Sequence, residues 1–301
     1  MKFAKPALDI PAQIALLEAR GLTVPDHARA AHFLRYISYY RLRAYWMTLE
    51  APAVQGQAHG FVAGASFEDI LNLYIFDRQL RLLMIDAIER VEVAVRGVWA
   101  HQMAIRYGSH GYLDPGLYAN PRFFANGMAS FEEEFDRSRD TFILHYKRKY
   151  TAPKLPPVWM AAEILSFGQL SKWIENLRAS ADRQALARPF GIDERIFCSF
   201  LRHLAVVRNI CAHHGRLWDR ALTVKMVLPK YPRDLAVSMN PAAPAAIYNS
   251  LTMLAHILAT VAPGSHWKSE LGALLAATPG LNMAAMGFPA DWQTRPAWKL
   301  S

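Results

Sequence analysis

The sequence predicts an all-α protein, and three observations carry that expectation. Apolar residues recur at three- and four-residue spacings along most of the chain, no stretch alternates apolar and polar residues as a half-buried strand does, and residues that start and stop helices punctuate the periodic segments. Ile14, Leu16 and Leu17 give Pro6 to Arg20 a helical pattern that Gly21 stops. His27 to Leu49 predicts a second helix, crowded with Phe33, Tyr36, Tyr39, Tyr40, Arg41, Arg43, Tyr45 and Trp46. Ala51 to Gly64 predicts a loop. Ser66 is placed to cap a long helix that has Glu68 and Asp69 in its first turn and reaches about Tyr107. Its apolar stripe is Leu73, Phe76, Leu80, Leu83, Ala87, Val91 and Val95.

Gly108 to Pro121 predicts a connection and Phe131 to Tyr150 a charged helix ended by Pro153, Pro156 and Pro157. Val158 to Asn176 follows, interrupted around Ser166 to Gly168. A helix from about Asp193 carries the stripe Phe197, Phe200, Leu201, Leu204 and Val207 and stops near Gly215. Beyond a Pro-rich turn, helices are expected over Tyr248 to Val261 and His266 to Ala277, then a tail containing Trp and Pro. The divisions expected are an N-terminal helical segment over 1–60, a core over 61–225, and C-terminal helices with a tail packed on the core over 226–301.

With hydrophobic residues at 52% and charged residues at 20%, the chain has material for a core and is not expected to be disordered. Ser250 to Pro263, its most apolar segment, is interrupted by His256 and falls short of the roughly 18–20 apolar residues that span a bilayer. Asp9 and Pro11 stand where a signal peptide needs its apolar stretch, so a cytoplasmic location without a membrane partner is expected. Cys198 and Cys211, if on one helix, lie roughly 20 Å apart and cannot bridge within the chain. They also lack partners at zinc-site or redox-motif spacing, and neither a metal nor another cofactor is expected. The formal net charge of +9 favours acidic partners, nucleic acid first.

Arg208-Asn209-Ile210-Cys211-Ala212-His213-His214-Gly215-Arg216 concentrates an amide, two imidazoles and two guanidinium groups at the end of an otherwise apolar helix. Cutting RNA without a metal requires a base for the ribose 2′-hydroxyl, an acid for the leaving oxygen and cations for the phosphorane charge. Histidine and arginine suit those tasks near neutral pH. The same residues also read as cations favouring a helix C-terminus and a solvated rim. On an ideal helix Arg208 and His213 point roughly 140° apart, so one helix makes a poor pocket. Two such helices meeting about a twofold axis would supply both acid and base, which makes a homodimer chemically useful.

The Arg208-Asn209-x-x-x-His213 pattern resembles the R-N-x-x-x-H motif of HEPN ribonucleases, and about two-thirds of the chain resembles the Abi-like family of abortive-infection phage-resistance proteins. The resemblance is carried by Ile37-Ser38-Tyr39-Tyr40-Arg41-Leu42, Phe76-Asp77-Arg78-Gln79-Leu80-Arg81, Ile88-Glu89-Arg90-Val91-Glu92, Pro156-Pro157-Val158-Trp159-Met160 and Ser166-Phe167-Gly168-Gln169-Leu170-Ser171. Arg208 to His214, Leu217-Trp218-Asp219-Arg220 and Met286-Gly287-Phe288-Pro289 complete it; Ser38 stands where the family pattern has Asn. The resemblance implies a HEPN-like helical bundle with a helical extension at each end, a composite dimeric site and metal-independent cleavage of single-stranded RNA, such as tRNA or phage transcripts. By that resemblance His213 is the acid or base, Arg208 the phosphate clamp and Asn209 the orienting amide, with His214 and Arg216 in support. An antitoxin or a regulatory non-coding RNA is a further expected partner. The alternatives are a non-catalytic RNA-binding regulator on the same fold and a purely structural protein–protein module.

Other candidates are weaker. Tyr40, Arg41 and Arg43 combine stacking faces with cations, and Lys147, Arg148 and Lys149 form a compact basic patch, both suited to RNA and both equally suited to packing or solvation. Glu89 and Glu92 share a helix face at metal-binding spacing, although Glu92 with Arg96 also makes an ordinary i,i+4 pair. Asp77, Arg78 and Arg81 read as a structural ion-pair network or as support for the motif helix.

Overall fold

The computed structural model describes residues 2, 6–52, 59–278 and 280–299. Among them are thirteen α-helices and no strand, so the chain is all-α. It divides into two compact units, Met1–Leu80 with Leu274–Leu281, and Arg81–Ala273 with Asn282–Ser301.

In the first unit, α1 (Ile10–Ala19) starts where the Asp9 carboxylate accepts the Ala12 N–H at 2.8 Å, with Pro11 in the first turn. The single helix expected over His27 to Leu49 is two, α2 (His27–Ile37) and α3 (Tyr39–Trp46), followed by a 3₁₀ turn at Met47–Leu49. Ser38 makes the break. Its backbone sits at φ 76°, ψ 146°, a region costly for any residue with a Cβ, and its Oγ accepts the Arg41 N–H at 3.4 Å to start α3. Hydrophobic periodicity runs through such a break unchanged, which is why spacing alone reads one helix. Leu17, Leu34, Leu42, Trp46, Phe67 and Leu71 form the core of this unit. Residues 53–58 of the expected loop lie outside the described residues. α4 (Phe67–Tyr107) is capped as the sequence predicts: Ser66 Oγ accepts the Asp69 N–H at 3.2 Å while the Asp69 carboxylate accepts the Ser66 N–H at 2.9 Å. Residues Phe67–Leu80 of this helix belong to the first unit and Arg81–Tyr107 to the second.

The second unit opens α5 (Pro121–Arg137) ten residues before the charged helix expected from Phe131, because Asn120 Oδ1 accepts the N–H groups of Arg122 and Phe123 and Pro121 occupies the first turn. A turn at Ser138–Asp140 then separates α5 from α6 (Thr141–Lys149). The interruption expected near Ser166 is real. α7 (Val158–Ile164) ends there, and α8 (Phe167–Asn176) begins with a complete capping box between Ser166 and Gln169. Trp99, Tyr112, Phe131 and Trp173 pack with ring centroids 5.7–6.2 Å apart. Gly127 permits that packing, since a Cβ there would lie 2.3 Å from Trp173 Nε1.

After α9 (Ser180–Ala187) comes α10 (Glu194–Ala212), whose stripe of Phe197, Phe200, Leu201, Leu204 and Val207 is buried as expected. α10 packs on α8 and α9. Each stripe residue contributes on the order of 1.5–3 kcal/mol, which anchors the helix independently of its exposed end. The short α11 (Arg233–Ser238) lies within what the sequence presents as a Pro-rich turn, while α12 (Tyr248–Val261) and α13 (Trp267–Ala276) stand where helices are expected. Tyr248, Phe288, Trp292 and Trp298 cluster where the tail folds back. Among the described residues no helix is long and apolar enough to cross a membrane.

Candidate active site

The motif occupies the C-terminal turn of α10, and the way that helix stops determines its geometry. His213 is the C-cap, with its N–H donated to the Asn209 carbonyl at 3.0 Å. His214 follows at φ 57°, and the next two amides turn back: His214 N–H to the Cys211 carbonyl at 3.0 Å and Gly215 N–H to the Ile210 carbonyl at 2.8 Å. That pair of bonds is a Schellman termination, in which the left-handed position usually belongs to glycine. Here glycine comes one residue late and a histidine takes the strained position. A Cβ on Gly215 would lie 3.2 Å from both the Ile210 carbonyl oxygen and its Cγ2, so that residue is held small by close approach.

Arg208, Asn209 and His213 are all exposed. Asn209 and His213, one turn apart, share a face, and Arg208 reaches sideways to bring its Nη1 within 3.5 Å of Asn209 Oδ1. The three nominated side chains are therefore neighbours at one solvent-facing helix end. His214 leaves the helix path and is exposed beside them. Arg216 is tied down locally: its guanidinium donates to the Asp219 carbonyl at 3.0 Å, pairs with the Asp219 carboxylate at 4.0 Å and lies 6.0 Å from the Trp218 ring centre. Arg220 donates to the Arg216 carbonyl at 3.2 Å, which folds residues 216–220 against the helix end.

His203 lies nearly three turns before His213 on the same helix and is buried. Its Nδ1 is 2.5 Å from the Val224 carbonyl and its Nε2 2.6 Å from Ser250 Oγ, so the ring ties α10 to α12 and to the segment after the motif. Burial lowers its pKa. Sequence spacing does not distinguish this histidine from the motif histidines; only its neighbours do.

The residue model of the Abi-like proteins matches residues 32–219, more than half of the chain. The chain belongs to the Abi-like protein family. The matched span ends at Asp219 and so contains the whole of Arg208 to His214, and membership points to abortive infection, a phage defence. No curated protein and no solved structure matches the chain.

The other candidates of this Abi-like chain fall on separate elements. In the first unit Tyr40 is 83% exposed and lines, with Arg43, Tyr39, Leu16 and His59, an open groove of about 640 Å³. Arg41 is exposed on the same helix, whereas Tyr45 is buried and donates its hydroxyl to the equally buried Asp77 at 2.7 Å. In the second unit Lys147 is turned inward, its ammonium donating to the carbonyls of Phe135 and Asp136 over the Phe135 ring. Arg148 and Lys149 remain exposed at the end of α6. Arg81 is buried and Arg78 exposed. Glu92 pairs with Arg96, Glu89 is exposed, and among the described residues no group of three or more His, Cys, Asp or Glu is placed to hold a metal ion. Cys198 and Cys211 are both buried thiols on α10 outside any disulfide, and burial pushes Cys198 up to about 12, which disfavours its thiolate.

Proposed function

We propose that the chain is a metal-independent endoribonuclease acting in abortive infection on single-stranded RNA, with a HEPN-type site shared between two copies. The observation that carries this reading is the exposure of Arg208, Asn209 and His213 at one helix end, with Arg208 in contact with Asn209, in a chain of net charge +9 whose family is that of the Abi-like proteins.

The chemistry follows from those groups. An imidazole of His213 takes the proton from a ribose 2′-hydroxyl, and the 2′-oxygen attacks the adjacent phosphorus. Negative charge grows on the non-bridging oxygens, where the Arg208 guanidinium stabilises it. The bond to the 5′-oxygen breaks, that oxygen leaves with a proton from a second acid, and the products carry a 2′,3′-cyclic phosphate and a 5′-hydroxyl. Asn209, beside both, orients them by hydrogen bonding. Because Arg208 and His213 diverge by roughly 140° on one helix, the second proton-transfer group is assigned to His213 of a second copy.

Incubating purified protein with end-labelled single-stranded RNA in excess EDTA tests the reading. Cleavage leaving cyclic-phosphate ends is expected. RNA bound but uncut would leave a non-catalytic RNA-binding regulator, and activity lost to EDTA and restored by a divalent ion would return attention to Glu89 and Glu92.

A further inference from the structure

At the opposite end of α10 from the motif lies an open cleft of about 870 Å³, within the size range of small-ligand sites. Its walls are fixed by two local devices: the left-handed turn at Gly191 (φ 69°) before the helix, and a hydrogen bond from the Val227 N–H to Ser199 Oγ at 2.8 Å that holds the returning segment against it. Arg188, Arg195 and Lys230 line the cleft, all exposed and none in an ion pair among the described residues. The carboxylate on the wall, Asp193, is occupied in accepting the Arg195 N–H at 2.9 Å, and neighbouring Glu194 is held by Arg183 at 2.6 Å. Beside these cations Tyr231 is 80% exposed and Val227 53% exposed.

Each feature narrows the ligand. Three cations against the single carboxylate of Asp193 leave the lining net positive and call for an anion; a free phosphate would leave most of the space empty, and an acidic peptide has no need of an exposed aromatic face. A base stacked on a ring with its phosphates among arginines and lysines uses all of them, and that combination is how unpaired nucleic acid is held without sequence readout. Arg195 and His213 are separated by roughly 27 Å at 1.5 Å per residue of helix. We infer that the Arg188–Arg195–Lys230–Tyr231 cleft is a second, non-catalytic site for single-stranded RNA, which anchors a strand at a distance from the motif. That the strand is also the substrate rests on the function proposed above; the binding itself does not.

The test uses full-length His213→Ala protein in EDTA, so that nothing is cut, and the fluorescence anisotropy of a labelled 12-nucleotide oligouridine. Adding Tyr231→Ala, a change at a surface side chain, is expected to weaken binding about tenfold, with Tyr231→Phe restoring it. Arg188→Ala with Arg195→Ala is expected to reduce the slope of log affinity against log salt by about 1.4. Oligouridine carrying 4-thiouridine should cross-link to the peptide containing Tyr231. Unchanged affinity and slope in these variants would overturn the site, as would cross-links confined to the motif or displacement of the RNA by poly-glutamate as effective as by unlabelled RNA. If the parent chain binds RNA through Tyr231 but never cuts it, the cleft stands and the catalytic reading falls. If it cuts RNA while Tyr231→Ala binds normally, the cleft alone falls.

Discussion

The main-chain carbonyl of Asn209 accepts the His213 N–H at 3.0 Å, and the two side chains one turn apart therefore leave α10 within roughly 40° of each other. Both project into solvent, away from the buried stripe that anchors the helix. His213→Ala is expected to cut the rate of RNA cleavage at least about 100-fold, the usual size of a lost proton-transfer group. Arg208→Ala should do likewise by removing the charge that meets the phosphorane. Neither should change unfolding free energy by more than about 0.5 kcal/mol. Wild-type cleavage in a variant would remove its residue from the chemistry, and a large loss of stability would show the residue to be structural.

Subunit mixing tests the shared site. When wild-type and His213→Ala chains exchange freely at equal amounts, about one-quarter of dimers are wild type on both sides by binomial pairing. Activity near that quarter is expected if two histidines are needed. Activity near one-half, or cleavage by a species that sediments as a monomer, would show each chain working alone.

His214 supplies a test of backbone strain separable from its imidazole. His214→Ala and His214→Gly both delete the ring, but only glycine relieves the positive φ of 57°. The glycine variant should be the more stable by roughly 1 kcal/mol in urea unfolding. Equal stability would mean that the turn carries no such strain. If His214 also binds RNA phosphate, both variants lose affinity equally.

His203 links stability to pH. Its folded pKa is lowered from 6.5 by burial, and His256 is lowered for the same reason. Above about pH 6.5 both rings are neutral whether the chain is folded or not, and their contribution does not vary. As pH falls below that value the unfolded chain takes up protons that the folded chain refuses, so stability drops until the lower folded pKa is passed. Denaturation at pH 7.5 and 5.0 should show this loss. His203→Gln should be less stable at pH 7.5, because it disturbs the bonds to Val224 and Ser250, and should lose less on acidification. Parallel curves for the two proteins would rule the ring out as a source of the dependence.

The sequence by itself determined the helical class, the cap of α4 at Ser66, the break at Ser166, the stripe of α10 and the place of the motif at that helix's end. Each is a local matter, decided by a 3.6-residue period and by short polar side chains that satisfy helix-end amides a few residues away. The tertiary structure decided what depends on distant neighbours or on a single backbone angle. Ser38 splits a periodic stretch without disturbing its pattern, and Lys147 is drawn from a basic patch onto the carbonyls that end α5. His203 becomes a buried tie while His213, ten residues on, stays in solvent. Arg188 and Tyr231, more than forty residues apart in the chain, reach one cleft because α10 buries its apolar face and the returning segment bonds to Ser199. Whether a charged or aromatic side chain is spent on packing or left for a partner is set by which atoms surround it, and spacing along the chain carries no record of those atoms.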